Sequence, residues 1–311
     1  MGKGKSGASI LDKYREFITP LSEIEEKPYL SLGPMSINLA VGDLRGIQTG
    51  KIIQVVGKHS SGKSTLALDI AAQYQKQNPD QPILYVDFER SVDPKYAAAC
   101  GINLANVWRI HPDITEVGLD IVEQAIDSGI TKLVIIDSVA ASKPGSEEGK
   151  SFSDNMKVAS SAGLLTRFCL RAAGLLDNNN ASIVMINQLR KNMSMMSREE
   201  EIPFGGMSLQ YATSLSIHLQ RIKTEESKQT VQAIIKKSKV GAPQSRVEFK
   251  IKYGRGIDHV DDLLALAAER GIVSVSGSWV SYGSLKVQGM ERAGQEFPME
   301  EIRERIVHEL E

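Results

Sequence analysis

The chain is organised around the stretch Gly57-Lys58-His59-Ser60-Ser61-Gly62-Lys63-Ser64-Thr65. This stretch fits the pattern G-x-x-x-x-G-K-[ST], with the apolar run IIQVV before it and the helical pattern LALDIAA after it. A strand that enters such a loop and a helix that leaves it let backbone N–H groups turn inward around phosphate oxygens. The positive helix end adds to the attraction for anions. We therefore predict a phosphate cradle in which Lys63 reaches the terminal phosphates and Ser64 ligates Mg²⁺.

Composition limits the class of protein. With 311 residues, 41% of them hydrophobic, the chain can form one large α/β domain and a smaller companion. Lysine and arginine total 37 against 38 aspartates and glutamates, so any nucleic-acid site must be local rather than a field over the whole surface. Cys100 and Cys169 lack metal-ligand spacing and indicate a reducing compartment. No apolar run approaches the roughly 18 residues of a membrane span, so we expect a cytoplasmic protein without membrane association.

Strands and helices alternate after the cradle. Apolar runs predict strands at 83–87, 107–110, 132–137 and 182–187, and helical patterns predict helices at 63–77, 94–100, 116–128 and 155–177. This alternation predicts an α/β fold with a doubly wound, mostly parallel sheet, whose ligands lie at the carboxyl ends of its strands.

The alternation of strands and helices ends after residue 215. Strand-like segments at 215–222, 231–237 and 246–253 are expected to extend the sheet with antiparallel strands. A helix at 261–270, short strands within 272–287 and a helix at 297–309 predict a small α+β module. At the other end, apolar residues at 10, 11, 14, 17 and 18 predict an amphipathic helix, packed on its own domain or on a neighbouring subunit. The predicted units are an N-terminal tail and helix (1–30), a core (31–256) that begins with turn-rich chain over 32–50, and a C-terminal domain (257–311).

Polar residues follow the predicted strands at positions that suit phosphate chemistry. Asp137 ends the most apolar strand and can hold Mg²⁺ through water together with Ser64. Glu89 follows the second strand, where it can orient a water for attack on the terminal phosphate. Gln188 ends the fifth strand, and its amide can bind a γ-phosphate and lose that partner on hydrolysis. Taken singly, Asp137 could instead cap a turn, and Glu89 could be a solvated loop carboxylate.

Several segments together resemble the bacterial RecA-type recombinases, in the same order along most of the chain. They are the cradle, VDFERSVDPKYA at 86–97, VIIDSVAA at 134–141, INQLR at 186–190, Gly205-Gly206 and KSKVGAP at 237–243. The resemblance implies a RecA-like P-loop NTPase core that uses ATP and Mg²⁺. It also implies a DNA-dependent ATPase that forms helical filaments on single-stranded DNA and exchanges strands with homologous double-stranded DNA.

The resemblance also implies roles for individual residues. Lys63, Glu89 and Gln188 would be catalytic, and Lys237 and Lys239 would reach across to the ATP of the adjacent subunit, as an arginine finger does. Asp93, Tyr96 and Tyr253 would join the cradle and Asp137 around the nucleotide. DNA contacts are implied in a loop near 146–156, on the helix after it and in a longer loop over 189–206, at Met156, Arg167, Arg190, Lys191, Asn192, Met193, Ser194, Met195, Met196, Arg198, Gly205, Gly206 and Met207.

Three alternative hypotheses stay open at this stage, two for the function of the chain and one for the lysine pair. A hexameric helicase on the same core is disfavoured by the lysine pair and the small C-terminal module. A DNA-binding assembly protein without productive hydrolysis is disfavoured by the intact Lys63, Glu89 and Asp137. Without the resemblance, Lys237 and Lys239 would be taken for a solvated basic strand end. The long loop also carries Glu199-Glu200-Glu201, which would repel DNA phosphates unless these side chains point away.

Overall fold

The structure, a computed structural model, describes residues 13–15, 18–145, 158–191, 201–238 and 244–310. Most of the predicted N-terminal helix at 10–18 lies outside these residues. Within them, no helix has both the length and the apolar character needed to cross a bilayer.

The segment before the cradle is more ordered than predicted. A two-stranded sheet joins β1 (Tyr29–Leu30) to β2 (Ile47–Gln48), and between them lies helix α1 (Met35–Val41). The prediction of turn-rich chain over 32–50 was therefore incomplete, because turns and bends lie at 33–34, 42, 44–45 and 49–50 but α1 and β2 were not predicted. Pro34 precedes α1 and supplies no side-chain cap. Asp262 supplies it instead, because its carboxylate accepts hydrogen bonds from the Ser36 hydroxyl and from the Ser36 amide at 3.3 Å.

A ten-stranded sheet forms the centre of the molecule and confirms the predicted alternation. In chain order its strands are β3 (Ile52–Gly57), β4 (Ile83–Asp87), β5 (Val107–Ile110), β6 (Leu133–Asp137), β7 (Ser182–Lys191), β8 (Glu201–Pro203), β9 (Leu215–Thr224), β10 (Lys228–Lys237), β11 (Arg246–Lys252) and β12 (Gly256–Ile257). Across the sheet they run β12-β11-β10-β9-β3-β7-β6-β4-β5, with β8 paired to β7. The strands from β9 to β5 are parallel, whereas β10, β11 and β12 extend the sheet with antiparallel pairs, as predicted.

Helices cover both faces of this sheet, which is why its parallel strands read as continuous apolar runs. They are α2 (Lys63–Gln77), α3 (Pro94–Ala99), α4 (Thr115–Asp127), α5 (Val158–Asn179) and α6 (Gly206–Ala212). One core lies between the sheet and α1, α2 and α3, and it includes Ile53, Leu66 and Ile135. The other lies between the sheet and α4, α5 and α6, and it includes Val134 and Phe168. The cradle and the strand ends around it are thus fixed between two packed layers.

The carboxyl-terminal segment forms a smaller α+β unit, as predicted. It comprises α7 (His259–Glu269), a three-stranded antiparallel sheet of β13 (Ser274–Ser276), β14 (Trp279–Tyr282) and β15 (Leu285–Gln288), then α8 (Met290–Glu296) and α9 (Met299–Leu310). The single helix predicted at 297–309 was incomplete, because α8 precedes it and Pro298 separates the two. Met35 and Leu39 of α1 pack on this unit's core, so the carboxyl-terminal unit contacts a helix that precedes the first strand of the large sheet in sequence.

Candidate nucleotide site

The cradle joins β3 to α2, and its glycines are required by close contacts. A Cβ on Gly57 would lie 2.3 Å from the Ser61 hydroxyl oxygen. Gly62 has a φ of +91°, and a Cβ there would lie 2.5 Å from a methyl carbon of Ile251. The ammonium of Lys63 lies over the loop, where it donates to the Lys58 carbonyl at 2.8 Å. The loop is therefore closed on its inner side and open to solvent at Lys58, His59 and Ser60.

Burial gives Lys63 an unusual acid–base character. Its side chain is 9% exposed, and this burial lowers its pKa, while the negative charges of Asp137 and Glu89 oppose the shift. A buried ammonium favours a phosphate partner, because phosphate supplies a negative charge and hydrogen-bond acceptors, and Mg²⁺ would offset the repulsion between phosphate and the two carboxylates.

Asp137 and Ser64 form the candidate Mg²⁺ site. The Ser64 hydroxyl donates to Asp137 Oδ2 at 3.0 Å, and the Tyr85 hydroxyl donates to the same oxygen at 2.7 Å. Burial raises the pKa of Asp137 to about 6, against the hydrogen bonds from Tyr85 and Ser64 and with help from the charges of Glu89 and Asp87. The described residues contain no cluster of three or more His, Cys, Asp or Glu able to hold a metal. Two oxygens fit Mg²⁺, which keeps several waters and is completed by substrate phosphates.

The predicted catalytic side chains meet where β3, β4 and β6 end, beside Gln188 of β7, a strand that continues past the predicted end at 187 to Lys191. In the sheet Asp87 is level with Asp137, and Gly57 is level with Gln188. The Gln188 amide donates to Glu89 Oε1 at 2.8 Å, and the Ser138 hydroxyl donates to the same oxygen. Glu89 is thus oriented by two donors. Ser138 was not predicted, although its position after Asp137 at a strand end was the available signal.

The residues expected at the base of the nucleotide lie at α3 and in the turn before β12. The Tyr96 hydroxyl and Thr65 Oγ1 are 2.8 Å apart, which links α3 to the cradle. Asp93 caps α3 by accepting from the Lys95 amide at 2.8 Å. Tyr253 is 46% exposed in the turn before β12. A Cβ on Gly256, the first residue of β12, would lie 3.0 Å from the sulfur of Cys100, which follows α3, so β12 and the end of α3 approach each other closely.

The predicted DNA-binding residues are described in part. Arg190 is exposed, its guanidinium lies 5.1 Å from the Phe204 ring, and its Nη2 donates to the Ala140 carbonyl at 3.4 Å. Arg167 is exposed on α5. Lys191 ends β7, Gly205 precedes α6 with a φ of +86°, and Gly206 and Met207 begin that helix. The predictions that lie outside the described residues are Met156, Asn192, Met193, Ser194, Met195, Met196, Arg198 and Lys239.

Strand β8 ties the end of the long loop to the cradle. Its first residue, Glu201, forms an ion pair with Lys58 at 2.9 Å. The Asn187 amide donates to the Phe204 carbonyl at 2.8 Å, and the Phe204 amide donates to the Gln188 carbonyl at 3.0 Å. One of the three acidic residues of the loop therefore faces the cradle, where its charge is paired.

Lys237 lies away from the cradle of its own chain. It is level with Ser216 at the start of β9, and Ser216 is level with Gln54 in the middle of β3. The ammonium donates at 2.9 Å to the carbonyls of Gln210 and Tyr211, near the carboxyl end of α6, and also to the carbonyl of Thr213. The structure thus separates Lys237 from Lys63, Glu89 and Gln188.

Comparisons with known proteins agree with this architecture. The RecA N-terminal domain family matches residues 18–258. The RecA protein of Paracoccus denitrificans is 35% identical over 282 residues, which cover 89% of this chain and 77% of the relative. The RecA protein of Rubrobacter xylanophilus is 33% identical over 326 residues, which cover 96% and 93%. A crystal structure of the RadB recombinase has the same fold, with a TM-score of 0.56, 21% identity and coverage of 73% of this chain and 98% of that one. The chain therefore belongs to the RecA family.

Proposed function

We propose that this RecA-family recombinase, whose role is in homologous recombination and DNA repair, is a DNA-dependent ATPase that assembles head to tail on single-stranded DNA and exchanges strands with homologous duplex. Each ATP would be held by the cradle of one copy and by the lysines of the next. The observation that carries the proposal is the position of Lys237, which is level with the middle of β3 and about 10 Å along the strand from the end where its own cradle begins.

The family implies ATPase activity, nucleotide binding with Mg²⁺, DNA binding and filaments in general terms. Within this chain, Lys63 would hold the terminal phosphates, and Glu89 would orient the attacking water. Mg²⁺, held by Ser64 and Asp137, would neutralise charge that develops on the phosphoryl group. Gln188 already contacts Glu89, so it is placed to report whether a γ-phosphate lies beside that carboxylate.

The register of the sheet sets the distance between Lys237 and its own cradle. The strand position level with Lys237 is Gln54, three residues before Gly57, which is about 10 Å along the strand at 3.3 Å per residue. The phosphates would lie further still, beyond the carboxyl end of β3. A lysine at this position would serve a different nucleotide, and a second copy would supply one. Because donor and acceptor surfaces differ, repeated contacts of this kind build a ring if the rotation between copies closes and an open helix if it does not, and we propose the open helix.

Two exposed apolar surfaces support such contacts. The end strand β5 presents Trp108, which is 51% exposed, beside Ile121 and Ile130 of the neighbouring α4 region at 38% and 44%. An open sheet edge of this kind is a template for another chain. The second surface carries Tyr211, 71% exposed on α6, whose carbonyl binds Lys237.

Mixing two inactive variants tests the shared site. We call the contact between two adjacent copies, with its shared ATP site, a seam. Glu89→Gln inactivates the part of the seam that belongs to the copy with the cradle, and Lys237→Ala with Lys239→Ala removes the lysines that the neighbouring copy supplies. In a random equal mixture, roughly one seam in four combines two intact sides, so we expect about a quarter of normal ATP turnover. A triple variant with all three changes, mixed in the same way with either parent, should restore nothing. Failure of the first mixture to regain activity, with filaments visible by electron microscopy, would refute the shared site.

Strand exchange is the direct test of the recombinase reaction. Filaments on single-stranded DNA should exchange strands with a matched duplex and leave an unmatched duplex unchanged, since base pairing supplies recognition. Rings in place of filaments would favour the helicase reading.

A further inference from the structure

The turn that carries Glu89 is built around a buried carboxylate. Asp87, at the end of β4, is 0% exposed, and its two oxygens accept from the backbone amides of Ser91 at 3.1 Å and Val92 at 3.3 Å. Just before these two residues, Arg90 has a φ of +55°, a left-handed conformation that needs support from its surroundings. The chain from Asp87 to Val92 therefore wraps around the Asp87 side chain, and Glu89 lies in the middle of this wrap.

Arg109 closes the wrap from the neighbouring strand. It lies on β5, level with Tyr85 on β4, and its Nε and Nη2 donate to Asp87 Oδ2 at 2.9 and 2.8 Å. Its side chain also lines a mainly apolar cavity of about 170 Å³ together with Tyr85 and Ile135. Two nitrogens on one oxygen form a strong, directional ion pair, and the guanidinium is 43% exposed while its partner is fully buried.

We propose that Arg109 is a positioning residue for ATP hydrolysis: through Asp87 it fixes the backbone of the turn that presents Glu89 to the nucleotide. The inference rests on the proposed catalytic role of Glu89. Ser138 and Gln188 orient the carboxyl group of Glu89, but they do not fix the main chain that carries it. Arg109 does this from β5, which joins the geometry of the sheet edge to the catalytic carboxylate.

The expected effect follows from the geometry. Without Arg109, the buried charge of Asp87 has two backbone amides and no cation in contact, so the carboxylate moves toward water and takes the turn with it. A displacement of about 1 Å at a catalytic group costs on the order of 100-fold in rate. Phosphate binding is affected little, because the cradle and Lys63 lie on β3 and α2.

The test uses Arg109→Met alone and with Asp87→Asn, which removes the unpaired charge and protects folding. Both variants should lose roughly 10- to 100-fold in kcat at saturating DNA, with KM for ATP and affinity for a fluorescent ADP within about threefold of normal. Arg109→Lys should recover most of the lost kcat, because its ammonium still reaches Asp87. Arg45→Met is the matched control, since it removes an Arg–Asp pair of 2.8 Å on the surface, and it should leave kcat unchanged.

The outcomes separate this inference from the proposed function. A normal kcat in the double variant, with Glu89→Gln inactive, would overturn the role of Arg109 and leave the shared site intact. Normal turnover in Glu89→Gln would overturn both. A fall in kcat that follows loss of filaments by electron microscopy would assign Arg109 to assembly and also overturn its positioning role.

Discussion

Replacing Asp137 by asparagine should stabilise the nucleotide-free protein while it abolishes ATP turnover. Asp137 is 3% exposed, and burial raises its pKa to about 6 from 3.8. The folded state thus holds this proton more tightly than the unfolded chain does. Stability is therefore highest below the unfolded pKa and falls as the pH rises through 6. At pH 7.5 the full shift corresponds to about 3 kcal/mol.

Asparagine removes this cost but keeps most of the local bonding. Its carbonyl oxygen can still accept from Tyr85 and Ser64, while its NH₂ group must find a new acceptor or water. Even with the cost of an unpaired NH₂ group, we expect the free energy of unfolding to rise by about 1–3 kcal/mol at pH 7.5. This corresponds to roughly 2–4 °C in Tm per kcal/mol. ATP turnover should fall at least about 100-fold, because a neutral amide is a poor Mg²⁺ ligand.

The assay is denaturant unfolding without nucleotide and with EDTA at pH 7.5 and pH 5. At pH 5 the cost of Asp137 ionisation is about half its value at pH 7.5, so the difference between variant and parent should shrink accordingly. Asp87→Asn is the matched control. It changes a buried aspartate that is level with Asp137 but paired with Arg109, so it should destabilise the protein. A destabilised Asp137→Asn protein, or a difference independent of pH, would refute the reasoning.

Other expected outcomes concern the cradle, the carboxyl-terminal unit and the sheet edge. Lys63→Ala should reduce ATP turnover by at least about 100-fold through loss of the phosphate clamp, and normal turnover would place the nucleotide elsewhere. His259 Nε2 lies 2.7 Å from Asp69. Burial lowers the pKa of His259, but the hydrogen bond to Asp69 and the charge of Asp69 together raise it by more than that, so the net pKa is raised. The stabilising effect of this pair is complete below about pH 6.5 and is lost as the pH rises through the higher folded pKa, so His259→Gln should lower Tm more at pH 6 than at pH 9. Trp108→Glu should shorten filaments in electron micrographs without changing ADP binding by the dilute protein, and unchanged filaments would exclude this edge from assembly.

Local patterns were sufficient for the fold and for the centre of the candidate site. Uniformly apolar runs located the strands, because strands covered on both faces carry apolar residues throughout. The cradle could be predicted from its glycines, because its backbone path needs glycine at those positions. Asp137, Glu89 and Gln188 could be grouped from sequence because parallel strands end at the same edge of a sheet. Helix α1 could not be predicted, since its cap is Asp262, 226 residues away. The same holds for Arg109, whose role depends on which strand becomes the neighbour of β4.

Asp87 and Asp137 show how neighbouring strands give one residue type two functions. They are level in the sheet and both are buried, yet Asp87 has Arg109 as a cation and Asp137 has two hydroxyl donors and no cation in hydrogen-bond contact among the described residues. The paired carboxylate organises the turn, whereas the other is left with an affinity for a positive ion. Lys63 lies near Asp137 and Glu89, but burial works against its charge. ATP brings more negative charge to this place, and in the proposed function Mg²⁺ and cations from another copy would balance it. The proposed sharing of the site would then couple nucleotide binding to assembly.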